Sequence, residues 1–212
     1  IVNWNLLNET TNSTGRSTSG FWYNAIDKRS KNLYWISTIA NKAHKVAPNK
    51  NWWINEQFWI NKNGLFYPEQ YREVVNIANI LKSRGINIVG IGLQGHYHHF
   101  SSWPCNGYPT RSALDGLRGY FAQHGFRMRV SEFDFSVYTT GQWPNKVPNP
   151  GELDYQYFPY YHFADWVYKS AQNPKVSWGL NQFCTWGLDD AHSSWASGLF
   201  ANQGCPAPYT DY

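Results

Sequence analysis

Apolar and polar positions along this chain switch repeatedly between a strand-like and a helical period. Ile1–Asn8 opens on an apolar stretch that predicts a strand. Leu33–Ala47 keeps a helical period, with Ile36, Ile39, Ala40, Ala43 and Ala47 on one face and Pro48 as the stop. Trp52–Glu56 predicts a short strand. Pro68–Arg84 is the clearest helix: Pro68 suits the first turn, Tyr71, Val74, Val75, Ala78 and Leu81 form the stripe, and Gly85 caps the end. Ile86–Gly92 is a nearly continuous apolar run and predicts a strand. Arg111–His124 aligns Leu114, Leu117 and Phe121 and stops at Gly125. Arg127–Phe135 predicts a strand, Asp154–Ala171 a helix carrying Tyr160, Phe163, Ala164 and Val167, and Val176–Trp186 the last strand.

Strands and helices in strict alternation predict a parallel α/β sheet covered by helices. A doubly wound sheet and a closed barrel both fit that pattern. No G-x-G-x-x-G loop follows the first strand, which weighs against a dinucleotide site. Glu9, Glu56, His96, Glu132 and Trp186 fall at or just after strand C-termini, where a (β/α) barrel keeps its chemistry. The segments after these strands are long and polar, and no internal repeat appears.

Composition narrows the classes. With 212 residues, 42% hydrophobic and 15% charged, the chain predicts one globular domain over 1–212 rather than a disordered segment. No apolar run approaches the roughly 20 residues that span a bilayer. The net charge of +4 comes from 18 scattered basic residues, which read as solvated surface rather than a nucleic-acid groove. Cys105, Cys184 and Cys205 fit no zinc spacing. Cys184 reads as a free buried thiol, while Cys105 and Cys205 lie in loop-like segments compatible with a disulfide in a secreted protein. His98 and His99, just after His96, read as loop residues rather than metal ligands. Asn12-Ser13-Thr14 is an N-glycosylation sequon, as formally is Asn8-Glu9-Thr10. Aromatic residues make up 18% of the chain, and several, such as Trp103, lie in polar surroundings. They predict flat amphipathic surface of the kind that suits sugar rings.

Glu9 and Glu132 carry the chemistry this composition allows. Each stands at the exit of a predicted strand, although an ionised carboxylate is costly to desolvate. Two such residues are the material for acid/base and nucleophilic work on a glycosidic bond. Asn55-Glu56 is a second Asn-Glu pair and makes Glu56 the competing candidate for the acid.

Five motifs in sequence order carry a resemblance. Trp4-Asn5-Leu6-Leu7-Asn8-Glu9 fits W-x-x-x-N-E, and Trp52-Trp53-Ile54-Asn55-Glu56-Gln57 resembles L-Y-I-N-D-Y. Gly90-Ile91-Gly92-Leu93-Gln94-Gly95-His96 fits G-I-G-x-Q-x-H, and Ser131-Glu132-Phe133-Asp134 resembles T-E-L-D. Trp186-Gly187-Leu188-Asp189-Asp190, then Ser194-Trp195, resembles W-G-x-x-D followed by S-W, with one residue inserted. Together they resemble the fourth to eighth strands of the family 10 glycoside hydrolases, the endo-β-1,4-xylanases.

The resemblance implies a (β/α)8 TIM barrel of which this chain covers about strands 4 to 8. The first three strands are absent from the sequence, so a longer protein is expected, or a second chain that completes the barrel, or a truncated barrel. The resemblance also implies a secreted, endo-acting, retaining hydrolase of xylan that needs no metal or organic cofactor, with a polysaccharide as its partner and neither nucleic acid nor membrane. Glu9 would be the acid/base and Glu132 the nucleophile. Asn8 would bind the sugar 2-hydroxyl, Gln94 and His96 would flank the nucleophile, and Asp134 would orient His96. Glu56 would be a supporting carboxylate, and Tyr97 would bind substrate or support the site. Trp186 and Trp195 would be the floor and roof of the sugar site. A cellulase-like relative and a non-catalytic carbohydrate-binding barrel are the two other readings.

Overall fold

Strands form where the apolar runs can be buried on a sheet, and helices form where the apolar residues make one stripe. The computed structural model describes residues 3–16, 34–98, 104–105, 107–136, 150–172 and 182–185. In chain order these give β1 (Asn3–Asn8), the short β2 (Thr11–Asn12) and β3 (Gly15–Arg16), then α1 (Tyr34–Val46) and β4 (Asn51–Glu56). There follow α2 (Pro68–Ser83), β5 (Ile88–Leu93), β6 (His96–His98), α3 (Arg111–Gln123), β7 (Arg127–Ser136), α4 (Pro150–Gln172) and β8 (Phe183–Thr185).

All pairings within the main sheet are parallel: β1 with β4, β4 with β5, β5 with β7, and β7 with β8. β6 pairs with the far end of β7, His96 opposite Asp134 and His98 opposite Ser136. It therefore continues the line of β5 along the same edge of β7, after a break at Gly95 with φ +91°. This places His98 in a strand, not in the loop that the sequence suggested. The other departure from strict alternation is the hairpin of β2 and β3, which pairs Thr11 with Arg16 just after β1.

The helices cover one face of the sheet. Val74, Val75, Ile77, Ala78 and Leu81 of α2, Leu114, Leu117 and Phe121 of α3, and Phe163 and Trp166 of α4 share one core with Ile54, Ile88, Ile91, Leu93, Met128, Val130 and Phe133. Local signals start and stop these helices. Pro68 takes the first position of α2, where a missing N–H costs nothing. The Thr110 hydroxyl accepts from Ala113 N at 3.2 Å and caps α3. Gly85 and Gly125 follow α2 and α3 with φ +81° and +76°, conformations that suit glycine.

Three expectations need amending. Cys184, on β8, is half-buried rather than buried, and both it and Cys105 are free thiols. Cys205 lies outside the described residues. Of the predicted strand Val176–Trp186, only Phe183–Thr185 is seen as strand, and most of the remainder lies outside the described residues. No helix among the described residues is long and apolar enough to cross a membrane.

Candidate active site

The ends of β1, β4 and β5 and the middle of β7 are tied together by backbone hydrogen bonds. Glu9 N donates to Asn55 O at 2.9 Å, Gln94 N to Glu56 O at 2.9 Å, and Glu132 N to Gln94 O at 3.1 Å. Residues far apart in sequence thus meet on the C-terminal rim of a parallel sheet.

Two irregularities in register aim the side chains. Asn5 pairs with Trp53, but Leu7 pairs with Ile54, so β1 holds one extra residue there. Side chains alternate along a strand, and one extra residue reverses that alternation. Leu7 consequently joins the core, while Asn8 turns to the face away from the helices and meets Asn55. The same happens in β7, where Val130 to Phe133 spans Phe183 to Thr185 of β8. Ser131 and Glu132, adjacent in sequence, both reach Asn55 as a result.

Asn55 is the hub. Its Nδ2 donates to Asn8 Oδ1 at 3.0 Å and to Glu132 Oε1 at 2.5 Å, and its Oδ1 accepts from Ser131 Oγ at 2.5 Å. Gly92 makes room for it, since a Cβ there would lie 2.2 Å from Asn55 Oδ1. Gln94 Nε2 donates to both Asn8 Oδ1 and Glu9 Oε1 at 3.1 Å. An unbroken line of side-chain hydrogen bonds therefore runs from Glu9 through Gln94, Asn8 and Asn55 to Glu132.

The other oxygen of Glu132 meets His96, whose Nε2 stands 3.2 Å from Oε2. His96 Nδ1 lies 3.0 Å from Asp134 Oδ1. Burial alone would lower the His96 pKa, but the hydrogen bonds to Asp134 and Glu132 outweigh it and raise the value to about 9. The ring is then an imidazolium at neutral pH and donates from both nitrogens. Gln57 holds this segment: its Oε1 accepts from Gly95 N at 3.2 Å and His96 N at 3.0 Å, and its Nε2 donates to His96 O at 2.8 Å. A side-chain amide thus does the work of a neighbouring strand where β4 has ended.

Glu9 has φ +55°, a left-handed conformation uncommon for a residue with a side chain. Its surroundings hold it there. Just beyond it, Thr10 N donates to Glu56 Oε1 at 2.7 Å and the Thr10 hydroxyl meets the same oxygen. Thr11 N and Oγ1 donate to Glu56 Oε2 at 3.3 and 3.0 Å. Glu56 is fully buried, and burial pushes its pKa up to about 7 against the pull of these four hydrogen bonds. Gln70, from α2, braces the clamp by donating to Thr11 Oγ1 at 3.3 Å and to Gln57 O at 2.7 Å.

Asn8, Glu9, Gln94, His96, Glu132 and Asp134 come together as one cluster. Gln94 departs from its expected place: its carbonyl accepts from Glu132 N, but its amide serves Asn8 and Glu9. Asn55 stands beside Glu132 instead. Glu56 grips the chain behind Glu9 and does not reach the cluster. Tyr97 is a correction to any reading in which it touches substrate. It is 3% exposed, belongs to the core and donates to Phe58 O at 3.3 Å. Alternation in β6 sends it to the face opposite His96. Trp186 and Trp195 lie outside the described residues. The expected aromatic surface is only partly present among the described residues: Trp52, Trp53 and Trp166 are buried, while Trp4 and Trp59 are about half exposed. Asn55, Gln57, Thr10, Thr11 and Ser131 were missed as functional groups. The one usable signal was the Asn55-Glu56 pair opposite a G-x-G strand.

A family model described as glycosyl hydrolase family 10 matches residues 1–211. A Beta-1,4-xylanase of Dictyoglomus thermophilum is 29% identical over 148 residues, 68% of this chain and 38% of that protein. An Exoglucanase XynX of Acetivibrio thermocellus is 25% identical over 190 residues, 88% of this chain and 15% of that protein. Among solved structures, GH10 from Paenibacillus barcinonensis matches with a TM-score of 0.73 at 18% identity, over 98% of this chain and 56% of that one. The endo-1,4-beta-xylanase XylE of Penicillium canescens gives 0.69 at 19% identity, over 98% and 54%. The chain thus spans less than two thirds of the length of each of these four proteins. The structural likeness establishes the architecture as part of a (β/α)8 barrel.

Proposed function

The chain belongs to glycosyl hydrolase family 10, and from that premise we propose that it carries the catalytic rim of an endo-acting, retaining hydrolase of β-1,4-xylan. One observation carries the reading: the carboxylates of Glu9 and Glu132 are joined by a continuous line of side-chain hydrogen bonds through Gln94, Asn8 and Asn55.

The two carboxyl groups differ in setting, as their roles require. Glu132 receives hydrogen bonds from Asn55 on one oxygen and from His96 on the other, which fix its orientation for attack on the anomeric carbon. Glu9 is exposed at the other end of that line and accepts from the Gln94 amide. It donates a proton to the leaving oxygen, then takes one from the water that hydrolyses the glycosyl-enzyme bond. The Oδ1 of Asn8 is already engaged by Asn55 and Gln94, so its amide N–H groups are free to meet a sugar hydroxyl. Glu56 keeps Glu9 in its strained conformation. The remaining strands of the barrel come from a longer protein or from a second chain. Because polymeric xylan does not enter cells, the enzyme works outside them.

Xylan as substrate follows the name of the Dictyoglomus relative, and the Exoglucanase name of the Acetivibrio relative supports β-1,4-glucan as a second reading. Release of reducing ends from xylan and from cellulose distinguishes the two. Glu132→Ala should abolish turnover of both aryl xylosides and polymer. Glu9→Ala should spare the first step on an activated aryl leaving group and lose it on xylan. Equal losses in the two variants on both substrates would refute this division of roles.

A further inference from the structure

Gln70 is fully buried, although it lies on α2 and not on the rim. It is the third residue of that helix, after Pro68 and Glu69, and Tyr67 caps the helix without a side-chain hydrogen bond. A glutamine at that place commonly turns back to the backbone N–H of the cap residue. Gln70 instead directs its whole amide at other segments. Its Nε2 donates to Thr11 Oγ1 at 3.3 Å and to Gln57 O at 2.7 Å, and its Oε1 accepts from Trp59 N at 3.0 Å.

Hydrogen-bond chemistry allows this amide one orientation. Trp59 N can only donate, and Gln57 O can only accept. Thr11 gives its own hydroxyl proton to Glu56 Oε2 at 3.0 Å, so toward Gln70 it accepts. Both amide protons and the carbonyl are thereby assigned. The course of the chain brings these partners within reach. After β4, residues 57–67 fold back on themselves, with Ile60 bridged to Phe66 and Tyr67 N donating to Trp59 O at 3.4 Å. The hairpin of β2 and β3 lies against the same turn of α2, where a Cβ on Gly15 would stand 3.8 Å from Glu69 O.

Two paths lead from Gln70 into the site. Through Thr11 it reaches the clamp in which Thr10 and Thr11 grip the Glu56 carboxylate, and that clamp begins at the residue after Glu9. Through Gln57 it reaches the side chain that holds Gly95 N, His96 N and His96 O. His96 in turn meets Glu132 and Asp134. One path ends at the acid/base and the other at the partner of the nucleophile.

We propose that Gln70 is a positioning residue that fixes Glu9 and His96 relative to one another by tying the exits of β1 and β4 to α2. This deepens the hydrolase reading and rests on it. Without its two donors, Thr11 and Gln57 are no longer held to a common point, and each path relaxes on its own. A displacement of about 1 Å in a catalytic group can cost about a hundredfold in rate.

The test is Gln70→Met, which keeps the length of the side chain and removes its polar atoms. On an aryl xyloside, kcat should fall about tenfold to a hundredfold with KM little changed. The loss should grow as the leaving group worsens, because a displaced Glu9 protonates it less well. The second path is read from the ring nitrogens of His96, labelled with nitrogen-15 and assigned by His96→Gln. At about pH 8, between the ordinary 6.5 and the raised value of about 9, the parent ring is charged. In Gln70→Met its signals should move toward those of the neutral ring, as His96 slips from Glu132 and Asp134. A folded Gln70→Met with the parent's kcat, or with unmoved His96 signals, overturns the proposal. If Gln70→Met does not fold, Thr11→Val serves, since it cuts the first path alone. Its leaving-group dependence should steepen while the His96 signals stay, and parent turnover in a folded Thr11→Val overturns the proposal. Displaced His96 signals in Gln70→Met, beside a parent chain that cleaves no glycan, uphold the positioning role and refute the hydrolase reading instead.

Discussion

Single amides and glycines set the chemistry of this rim. Removing Asn55 leaves Ser131, Asn8 and Glu132 each short of a partner, so Asn55→Ala should cost about 1–3 kcal/mol in denaturant unfolding. Gly92→Ala should cost a similar amount, about 1–3 kcal/mol, because its methyl would overlap Asn55 Oδ1. Chemical denaturation of both variants measures this. Protons matter at the same scale. Glu56 is held at about 7 against an ordinary 4.5, and His96 at about 9 against 6.5. A group whose folded value is raised favours the fold while it is protonated. The Glu56 share is complete below 4.5 and lost as pH rises through about 7, and the His96 share is complete below 6.5 and lost through about 9. Stability should therefore fall between pH 4.5 and about pH 9, by about 3 kcal/mol from His96 alone. Urea midpoints across that range check it, and His96→Gln should flatten the upper part of the slope. Of these residues, Glu9, His96 and Glu132 were legible as candidates because acids and histidines at strand exits are unusual, and Asp134 only through the resemblance of Ser131-Glu132-Phe133-Asp134 to T-E-L-D. Asn55 and Ser131 were not. An asparagine in a strand has no signature until the register shows which carboxylate it faces.

Elements were more legible than residues, for a physical reason. The stripe of Val74, Val75, Ala78 and Leu81 on α2 exists because one face of that helix is buried, and burial is what the pattern records. The capping chemistry of Thr110 and the glycines after α2 and α3 was equally local. The extra residues in β1 and β7 left no trace, because a single shifted residue in a short apolar run looks like more of the same run. Yet they decide which way Asn8 and Glu132 point. Deleting Leu6 should restore simple alternation in β1 and turn Asn8 away from Asn55. Turnover of an aryl xyloside should then fall about a hundredfold or more, as misplaced catalytic groups do. Circular dichroism should still show the helices. Thr110→Ala makes the contrast: it should cost about 1 kcal/mol of stability and leave turnover unchanged, since the cap lies on α3 and not on the rim.

At the scale of the molecule, the parallel sheet has two flanks among the described residues, β1 on one side and β8 on the other. Trp4, at 45% exposure, stands on the first of them against Trp52. Unpaired edges with exposed apolar side chains invite pairing with other chains. The 212-residue chain on its own should therefore self-associate, with light scattering showing mass that rises with concentration. Preceding barrel strands, supplied in the same polypeptide, should abolish that rise. A parallel sheet also imposes an order of events on the rim. The line from Glu9 to Glu132 draws its links from β1, β4, β7 and the end of β5, and no two neighbouring links lie close together in sequence. No locally collapsed portion of the chain can assemble it. Regain of turnover after dilution from denaturant would thus report the closing of the longest loops, and a half-folded population, however helical, would be silent.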